Sequence, residues 1–489
     1  MSDVETEIER TAGGREPVKI ENVVLIEPGA PGLHVFSKFK LPRLGLPLLG
    51  AILREHFGIT PKIYFEEVSK LPKEEMERAD LVGISTITPT APAAYDLIRW
   101  IKRNRDIPVV LGGPHVSFLA DEALAHGADF VIRGEGEESL VELIEVLREG
   151  GDLSVVKGLS YMENGVARHN PDRDRVDDLN TLPWPDLTLI EGFGKARTTP
   201  VMTSRGCPFD CKFCTVTTMF GRRYRFRETE DIINELRVLT ERNPKTVIFF
   251  YDDNFTASPK RTKELLTRMK EEGITPRWTA QARVDVVDDP ELMQLMKDTN
   301  CLFLYLGLES INPDTLQAYR KSQTVEDIVR AVEVIHDYGI RVHGMFVLGS
   351  DEDDRSTIRQ TVTFAKKTGI DTVQFMVLTP IPGSETYNEL RRDNRIFIED
   401  WSKFNGHNAV FYPMKMPPYM LQKEASLRAM FKFYSLWSCW KLGLLFRWRD
   451  MAYHIYAHRL LVKWRSRNRG FLAELKARYK AEMERKQSA

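Results

Sequence analysis

Regular patterning begins at residues 22–27 (NVVLIE), a short β-branched apolar run of the kind that forms a strand buried on both faces. A glycine- and proline-rich stretch follows, then an apolar helical pattern near residues 46–55. Further short strands are expected at residues 62–66, 79–85, 109–112 and 130–133, alternating with helical stretches such as 91–103 and 138–149. This alternation predicts an α/β fold built on a doubly wound parallel sheet, whose ligands sit beyond the carboxyl ends of the strands.

A small hairpin is expected around residues 158–168, and a linker rich in Asp, Asn and Pro runs through 170–186. A second series of strands follows at 200–204, 247–251, 277–281, 302–307, 341–348 and 372–377. Helical patterns at 230–241, 260–272, 325–338 and 355–367 separate them. Strand-helix units of this spacing predict a partial (β/α)6 barrel with its chemistry at the carboxyl ends of the strands. From about residue 401 the chain turns to long helical patterns crowded with aromatic residues. The expected organisation is therefore a disordered leader at 1–19, a doubly wound domain at 20–168 and a linker at 169–195. A partial barrel at 196–400 and a helical C-terminal region at 401–489 complete it.

At 489 residues the chain exceeds what one hydrophobic core usually supports. Its 42% hydrophobic and 28% charged residues fit an ordinary globular protein, and a net charge of -1 argues against a general nucleic-acid binder, so no nucleic acid is expected as partner. The first twenty residues are charged and lack the apolar segment of a signal peptide. No apolar run reaches the roughly 18 residues that a spanning helix needs, so a cytoplasmic protein is expected. Five cysteines, three of them within eight residues, point to metal or redox chemistry rather than a disulfide scaffold.

Residues 203–215 read TSRGCPFDCKFCT. Iron-sulfur clusters are held by thiolates, and Cys207, Cys211 and Cys214 would leave one iron of a 4Fe-4S cubane without a protein ligand. A structural zinc site, the competing reading, needs a fourth ligand from distant Cys301, Cys439 or a histidine. The spacing C-x-x-x-C-x-x-C, with aromatic Phe213 before the third cysteine, resembles the signature of the radical S-adenosylmethionine superfamily. The resemblance implies that Cys207, Cys211 and Cys214 hold the cluster and that the open iron chelates S-adenosylmethionine. One electron from a donor such as flavodoxin or ferredoxin then cleaves it to methionine and a 5'-deoxyadenosyl radical.

The resemblance extends to later strand ends. Asp253, in the segment YDDN at 251–254, would accept from the methionine amino group. Gln281 and Arg283, in QARVD at 281–285, end the next strand, where the guanidinium offers a bidentate fork to the methionine carboxylate. Glu309 and Ser310, in GLES at 307–310, would reach the ribose or amino group. Gly349 closes GMFVLG at 344–349, where the family packs the adenine. Acidic loop residues also serve as ordinary helix caps and turns.

In the first domain, Ser85 in GIST at 83–86, the run Gly112-Gly113-Pro114-His115, and Gly134-Glu135 in RGEGE at 133–137 each follow a strand. Glycines there let backbone approach a large ligand, and a helix N-terminus offers free amides. Their order resembles the cobalamin-binding domain that precedes the radical module in one branch of the superfamily. That branch includes methyltransferases and the anaerobic magnesium-protoporphyrin ester cyclase. The resemblance implies cobalamin as a further cofactor, contacted by Ser85, Gly112, Gly113, His115, Gly134 and Glu135. The D-x-H-x-x-G motif that supplies a cobalt-ligating histidine elsewhere is absent. His115 also reads as a turn residue, and Glu135 as an acid favouring the next helix N-terminus.

Between residues 430 and 464 lie Phe431, Phe433, Tyr434, Trp437, Trp440, Phe446, Trp448, Tyr453, Tyr456 and Trp464, interleaved with basic residues. Either these rings close the open side of the barrel, or they form a surface for peripheral membrane contact at the cytoplasmic face. The expected function is a cobalamin-dependent radical S-adenosylmethionine enzyme that methylates, cyclises or otherwise modifies an unactivated carbon. Its substrate would be apolar: a lipid, isoprenoid or tetrapyrrole. A radical enzyme acting on peptide or RNA without cobalamin, and a non-catalytic electron-transfer protein, are the alternatives.

Overall fold

Every residue of β1 (Val23–Glu27) is buried, as a strand covered on both faces must be. The structure, a computed structural model, describes residues 16–30, 41–195 and 197–488. The expected leader at 1–19 therefore falls mostly outside the described residues, as does most of the glycine- and proline-rich stretch after β1. The chain divides between Ala196 and Arg197 into two compact units.

In the first unit β1 is joined by β2 (Lys62–Phe65), β3 (Leu81–Ser85), β4 (Val109–Gly112), β5 (Phe130–Ile132), β6 (Leu159–Glu163) and β7 (Val166–His169). The seven-stranded order is β2-β1-β3-β4-β5-β6-β7. Strands β1 to β5 pair in parallel, and the order reverses between β1 and β3, the switch point where such sheets take ligands. The expected hairpin is present, but it adds an antiparallel edge to the sheet. The β6–β7 return is local: Asn164 and Gly165 both adopt positive φ, 51° and 79°, so the chain reverses through a tight turn, while β6 itself reaches β5 antiparallel after the intervening helix Glu137–Glu149.

The second unit carries β8 (Thr198–Val201), β9 (Ser204–Arg205), β10 (Arg225–Phe226), β11 (Val247–Phe250), β12 (Arg277–Ala282), β13 (Cys301–Glu309), β14 (Arg341–Leu348) and β15 (Thr372–Val377). Six of these form an all-parallel sheet in the order β15-β14-β13-β12-β11-β8, the partial barrel that the strand-helix spacing predicts. Alternation along each strand separates its two faces. Leu304, Leu306 and Leu308 join the core under the helices, as do Val342, Phe346 and Leu348. Tyr305, Met345, Gln374 and Met376 lie on the other face and stay partly accessible.

The C-terminal helices belong to this second unit. A helix running through Pro418–Leu421, Gln422–Ala429 and Met430–Phe433 widens to π geometry in its middle segment. Leu421, Ala425, Met430 and Phe433 enter the barrel core. Tyr434 meets the backbone of edge strand β15, accepting from the Val373 N–H and donating to the Val373 carbonyl, both at 2.8 Å. A sheet edge that would otherwise be open is thereby satisfied. Cys301 and Cys439 are buried thiols. Among the described residues no helix is long and apolar enough to cross a membrane.

Candidate active site

The loop bearing the three cysteines starts where β8 ends, and one buried carboxylate sets its course. Asp252, 1% exposed, accepts from the Thr203 N–H at 2.9 Å and the Ser204 N–H, and from the hydroxyls of Thr203 and Ser204 at 3.1 and 2.7 Å. Burial raises its pKa against the lowering effect of these bonds. The chain then leaves the barrel sheet, so the strand expected at 200–204 splits into β8 and the short β9, which pairs with β10. Gly206 passes so close to the neighbouring backbone that a Cβ would lie 2.6 Å from the Arg223 carbonyl oxygen, at φ +93°.

The loop is pinned along its length. The Cys207 N–H donates to the Gly221 carbonyl (3.3 Å) and the Cys214 N–H to that of Cys211 (3.0 Å). The Lys212 carbonyl accepts from the Thr386 N–H (3.2 Å) and hydroxyl (3.1 Å). Phe213 packs edge-on against Tyr319 with ring centroids 5.0 Å apart. The Cys214 Sγ receives the Val216 N–H at 3.4 Å. Burial pushes all three thiols up, Cys214 to about 12, while Lys321 and Arg283 pull Cys211 down. Such thiols are protonated at neutral pH until a metal replaces the proton, so this donor set suits thiolate ligation coupled to proton release.

In a cubane each thiolate serves its own iron, so three cysteines on one loop match a cluster with one open iron, whereas a structural zinc site takes four ligands.

Other expected residues gather around this loop. Asp253 is accessible at the mouth of β11, yet desolvation and then the nearby Asp252 charge push its carboxyl up to about 7. Asp253 also acts electrostatically on Cys207 and Cys214. Gln281 donates to the Asp252 carbonyl at 3.3 Å. Arg283 lies over Phe209, inside the cysteine loop, with its guanidinium carbon 3.9 Å from the ring centroid, and it also donates to the Ser322 carbonyl at 3.3 Å. Glu309 sits at φ +59° on a bulge of β13 and is 2.9 Å from the Lys321 ammonium, with the two side chains 9% and 7% exposed.

Two further expected residues are enclosed by protein. Ser310 is fully buried, its hydroxyl accepting the Asn312 N–H at 3.0 Å. Gly349 is overlaid by Leu421, whose side chain would lie 2.7 Å from a Cβ there, and its N–H goes to Asp353 at 2.9 Å. Three residues not singled out complete the site: Asp252, Phe209 and Lys321. Asp252 had a signal, because it shares strand parity with buried Ile248 and Phe250, whereas Asp253 follows Phe249 and Tyr251 to the open face. Nothing in the pattern around Phe209 or Lys321 marks either one.

In the first unit the carboxyl ends of β3, β4 and β5 carry Ser85, Gly112 and Gly134. An added Cβ would meet nothing within 4 Å at Gly134, and only the Ile132 carbonyl at 3.9 Å from Gly112. Gly113 is the opposite: a Cβ would strike the Thr86 carbonyl oxygen at 2.5 Å, at φ +97°. Open glycines in a row fit a large ligand resting on backbone. His115 is 1% exposed, with its ring turned to Thr88 (3.4 Å) and Glu122 (3.7 Å). Glu135 accepts the Val176 N–H at 2.8 Å, holding the linker.

The profile of the radical SAM superfamily matches residues 201–365, and that of the B12 binding domain matches residues 35–144. An uncharacterized methyltransferase of Pyrococcus horikoshii is 33% identical over 409 residues, covering 80% of this chain and 88% of that protein. The bacteriochlorophyllide d C-12(1)-methyltransferase of Chlorobaculum tepidum is 29% identical, covering 76% and 78%. The hopanoid C-3 methylase of Methylococcus capsulatus is 30% identical, covering 79% and 76%. In fold, the chain resembles the cobalamin-dependent S-adenosylmethionine radical enzyme OxsB, with a TM-score of 0.70 at 16% identity over 91% of this chain and 72% of that one. The chain belongs to the radical SAM superfamily and carries the B12-binding domain ahead of the radical module. It is an enzyme of that type, with a 4Fe-4S cluster, S-adenosylmethionine and cobalamin as its cofactors.

Proposed function

We propose that this enzyme transfers a methyl group to an unactivated carbon of an apolar polycyclic substrate, of the tetrapyrrole or hopanoid kind. The observation that carries the substrate class is the open face of the barrel sheet. Phe249, Tyr305, Met345 and Met376 present rings and thioethers there, all partly accessible. The Phe249 and Tyr305 rings meet edge-on at 5.7 Å. The one imidazole on this face, His343, stands beside Tyr305 with ring centroids 4.8 Å apart, and burial pushes its pKa down to about 4. The middle of the face is thus uncharged at neutral pH, which suits a ligand without charge of its own. Relatives named for methylating bacteriochlorophyllide and hopanoid support the same reading.

Cys207, Cys211 and Cys214 are the ligands assigned to the cluster, with Phe213 packing the loop on Tyr319. When bound, the cluster and S-adenosylmethionine supply one-electron cleavage, driven by an external reductant such as flavodoxin or ferredoxin, and cobalamin supplies methyl-carrying chemistry. Asp253, Gln281, Arg283 and Glu309 are assigned to S-adenosylmethionine: carboxylates toward its amino and hydroxyl groups, the guanidinium toward its carboxylate. Ser310 and Gly349 support this shell from behind. Ser85, Gly112, Gly113 and Gly134 are assigned to cobalamin through backbone and hydroxyl contacts. His115 and Glu135 shape the strand ends from inside, and no cobalt-ligating role is assigned to His115.

The test is a comparison of apolar extracts from cells with and without the protein, grown with methionine labelled at its methyl carbon. One added labelled methyl on a polycyclic lipid or pigment is expected. A new ring without added label would move the assignment to cyclisation. A labelled peptide or RNA in place of an apolar product would overturn it.

A further inference from the structure

Leu436–Leu444 and Trp448–Arg467 form a helical hairpin whose turn holds its largest apolar side chains outward. Trp437, Trp440, Leu444, Leu445, Phe446 and Trp448 are each 54% to 79% exposed. Neighbouring Phe433, Tyr434 and Trp464 are buried. The aromatics of this region therefore split, one set closing the barrel and the other facing solvent as one patch, and contiguous patches of this kind mark interaction sites.

The patch is built on a fixed base. Arg447 at the turn bonds Asp371 at 2.7 Å and Asp450 at 2.6 Å. Ser435 caps the first helix through the Ser438 N–H at 3.1 Å, and Lys366 donates to the Ser438 hydroxyl at 3.0 Å. Trp437 and Trp440 stack with centroids 4.7 Å apart. Phe446, the most exposed of the set, sits at φ +56° in the left-handed region, a conformation that a bulky residue holds only where the surroundings impose it.

Charge decides the occupant. From Lys441 to Gly470 the chain holds Lys441, Arg447, Arg449, Arg459, Lys463, Arg465, Arg467 and Arg469, with Asp450 as the single acid. Asp450 is buried and committed to Arg447 and Arg341, and Arg447 is further paired with Asp371; beside the turn itself the exposed charges are Lys441 and Arg449, and the remaining cations follow along the second helix. A two-fold pairing of this patch with a second copy would set the same cations against each other. Indole rings with a cationic rim match the headgroup boundary of a bilayer, where the rings enter the interface and the cations meet anionic lipid.

We infer that the Leu436–Trp448 turn docks the enzyme on an anionic phospholipid bilayer surface, without spanning it. This goes beyond the reaction assigned above and does not depend on it.

The experiment floats the full-length, anaerobically purified holoenzyme with vesicles of phosphatidylcholine alone or with phosphatidylglycerol added, at low and high salt. Wild type is expected to float with the anionic vesicles, with tryptophan emission shifted to the blue and quenched by brominated acyl chains, and to release as salt rises. Trp437→Ser/Trp440→Ser/Phe446→Ser should lose flotation by roughly ten-fold or more, since the buried apolar area goes with the rings. Lys441→Glu/Arg449→Glu should weaken binding to anionic vesicles by roughly ten-fold or more. These side chains are exposed, so iron content and circular dichroism should stay as in wild type. Absence of flotation at low salt, or a triple variant that floats like wild type, would overturn the inference. So would a dimer, seen by light scattering, that depends on the same residues while vesicles remain unbound.

Discussion

The two sheets of this protein end their parallel strands in opposite chemistry, and these are the ends to which the two sets of cofactors are assigned. At the carboxyl ends of β3, β4 and β5 the first unit places Ser85, Gly112 and Gly134, with the nearby imidazole folded inward and the carboxylates of Glu27 and Glu135 already engaged by Arg43 and the Val176 N–H. The second unit concentrates charge where burial makes it costly, with Asp252 accepting four donors and Glu309 locked to Lys321. The difference fits the ligands proposed for each. A macrocycle is held by area and backbone contact, whereas a sulfonium amino acid and an iron-sulfur cube must be met by charges and thiolates whose positions are fixed beforehand.

The sharpest way to break this contrast is to remove a thiol. Cys207→Ala, Cys211→Ala or Cys214→Ala should each abolish cluster iron and activity while leaving cobalamin content unchanged, as read by metal analysis and the cobalamin absorption bands. Cys301→Ala and Cys439→Ala, at buried packing positions, should keep their iron. Next in size is the buried ion pair. Lys321→Met leaves Glu309, whose side chain is 9% exposed, without its partner, at a cost of about 3 to 5 kcal/mol in denaturant unfolding. Adding Glu309→Gln should recover much of that stability without restoring S-adenosylmethionine binding, measured by equilibrium dialysis. Full recovery of binding by the double variant would show that the pair is scaffold alone.

The same contrast explains what the sequence disclosed. Period-two burial and helix spacing marked β12, β14 and β15 to within a residue or so, because each is a strand with one face against helices. The cysteine spacing is covalent in origin and survives any folding detail. What escaped was set by tertiary contact: Phe209 becomes part of the site only because Arg283 from a distant strand lies on it, and Lys321 only because the bulge turns Glu309 toward it. The surroundings of Gly349 were hidden for the same reason, since Leu421, more than seventy residues on, closes over it. In the first unit the hairpin expected around residues 158–168 is present as β6 and β7, and only its antiparallel joining to the main sheet lay beyond the pattern.

A smaller effect tests whether the first site really works through backbone. Gly113→Ala places a methyl 2.5 Å from the Thr86 carbonyl oxygen. The strained backbone and forced shift should cost roughly 1 to 3 kcal/mol, and bound cobalamin should fall while iron is retained. Gly134→Ala is the companion, because its Cβ would meet no protein atom within 4 Å. It should lose only the modest stability that φ +75° implies, so any larger loss of cobalamin reports contact between that methyl and the cofactor.

The smallest prediction separates site charge from ordinary charge in the second unit. Asp354 starts the helix Arg355–Lys367, accepting from the N–H groups of Ser356 (2.7 Å) and Thr357 (2.9 Å). Bonds from Ser356 and Thr357 hold its carboxyl down at about 2 from an ordinary value of 3.8. A folded-state pKa below the unfolded one means that the stabilisation is present above the unfolded value and is lost as pH falls through the folded one. Asp354→Ala should therefore cost about 1 kcal/mol near neutral pH, with iron and cobalamin unchanged. The gap to wild type should narrow as urea unfolding is repeated at successively more acid pH, down toward 2. Asp354→Asn keeps the cap without the charge, so its difference from wild type should be smaller at neutral pH and vanish in acid. A wild-type advantage over Asn that persists undiminished there would mean that shape, not charge, sets this helix start.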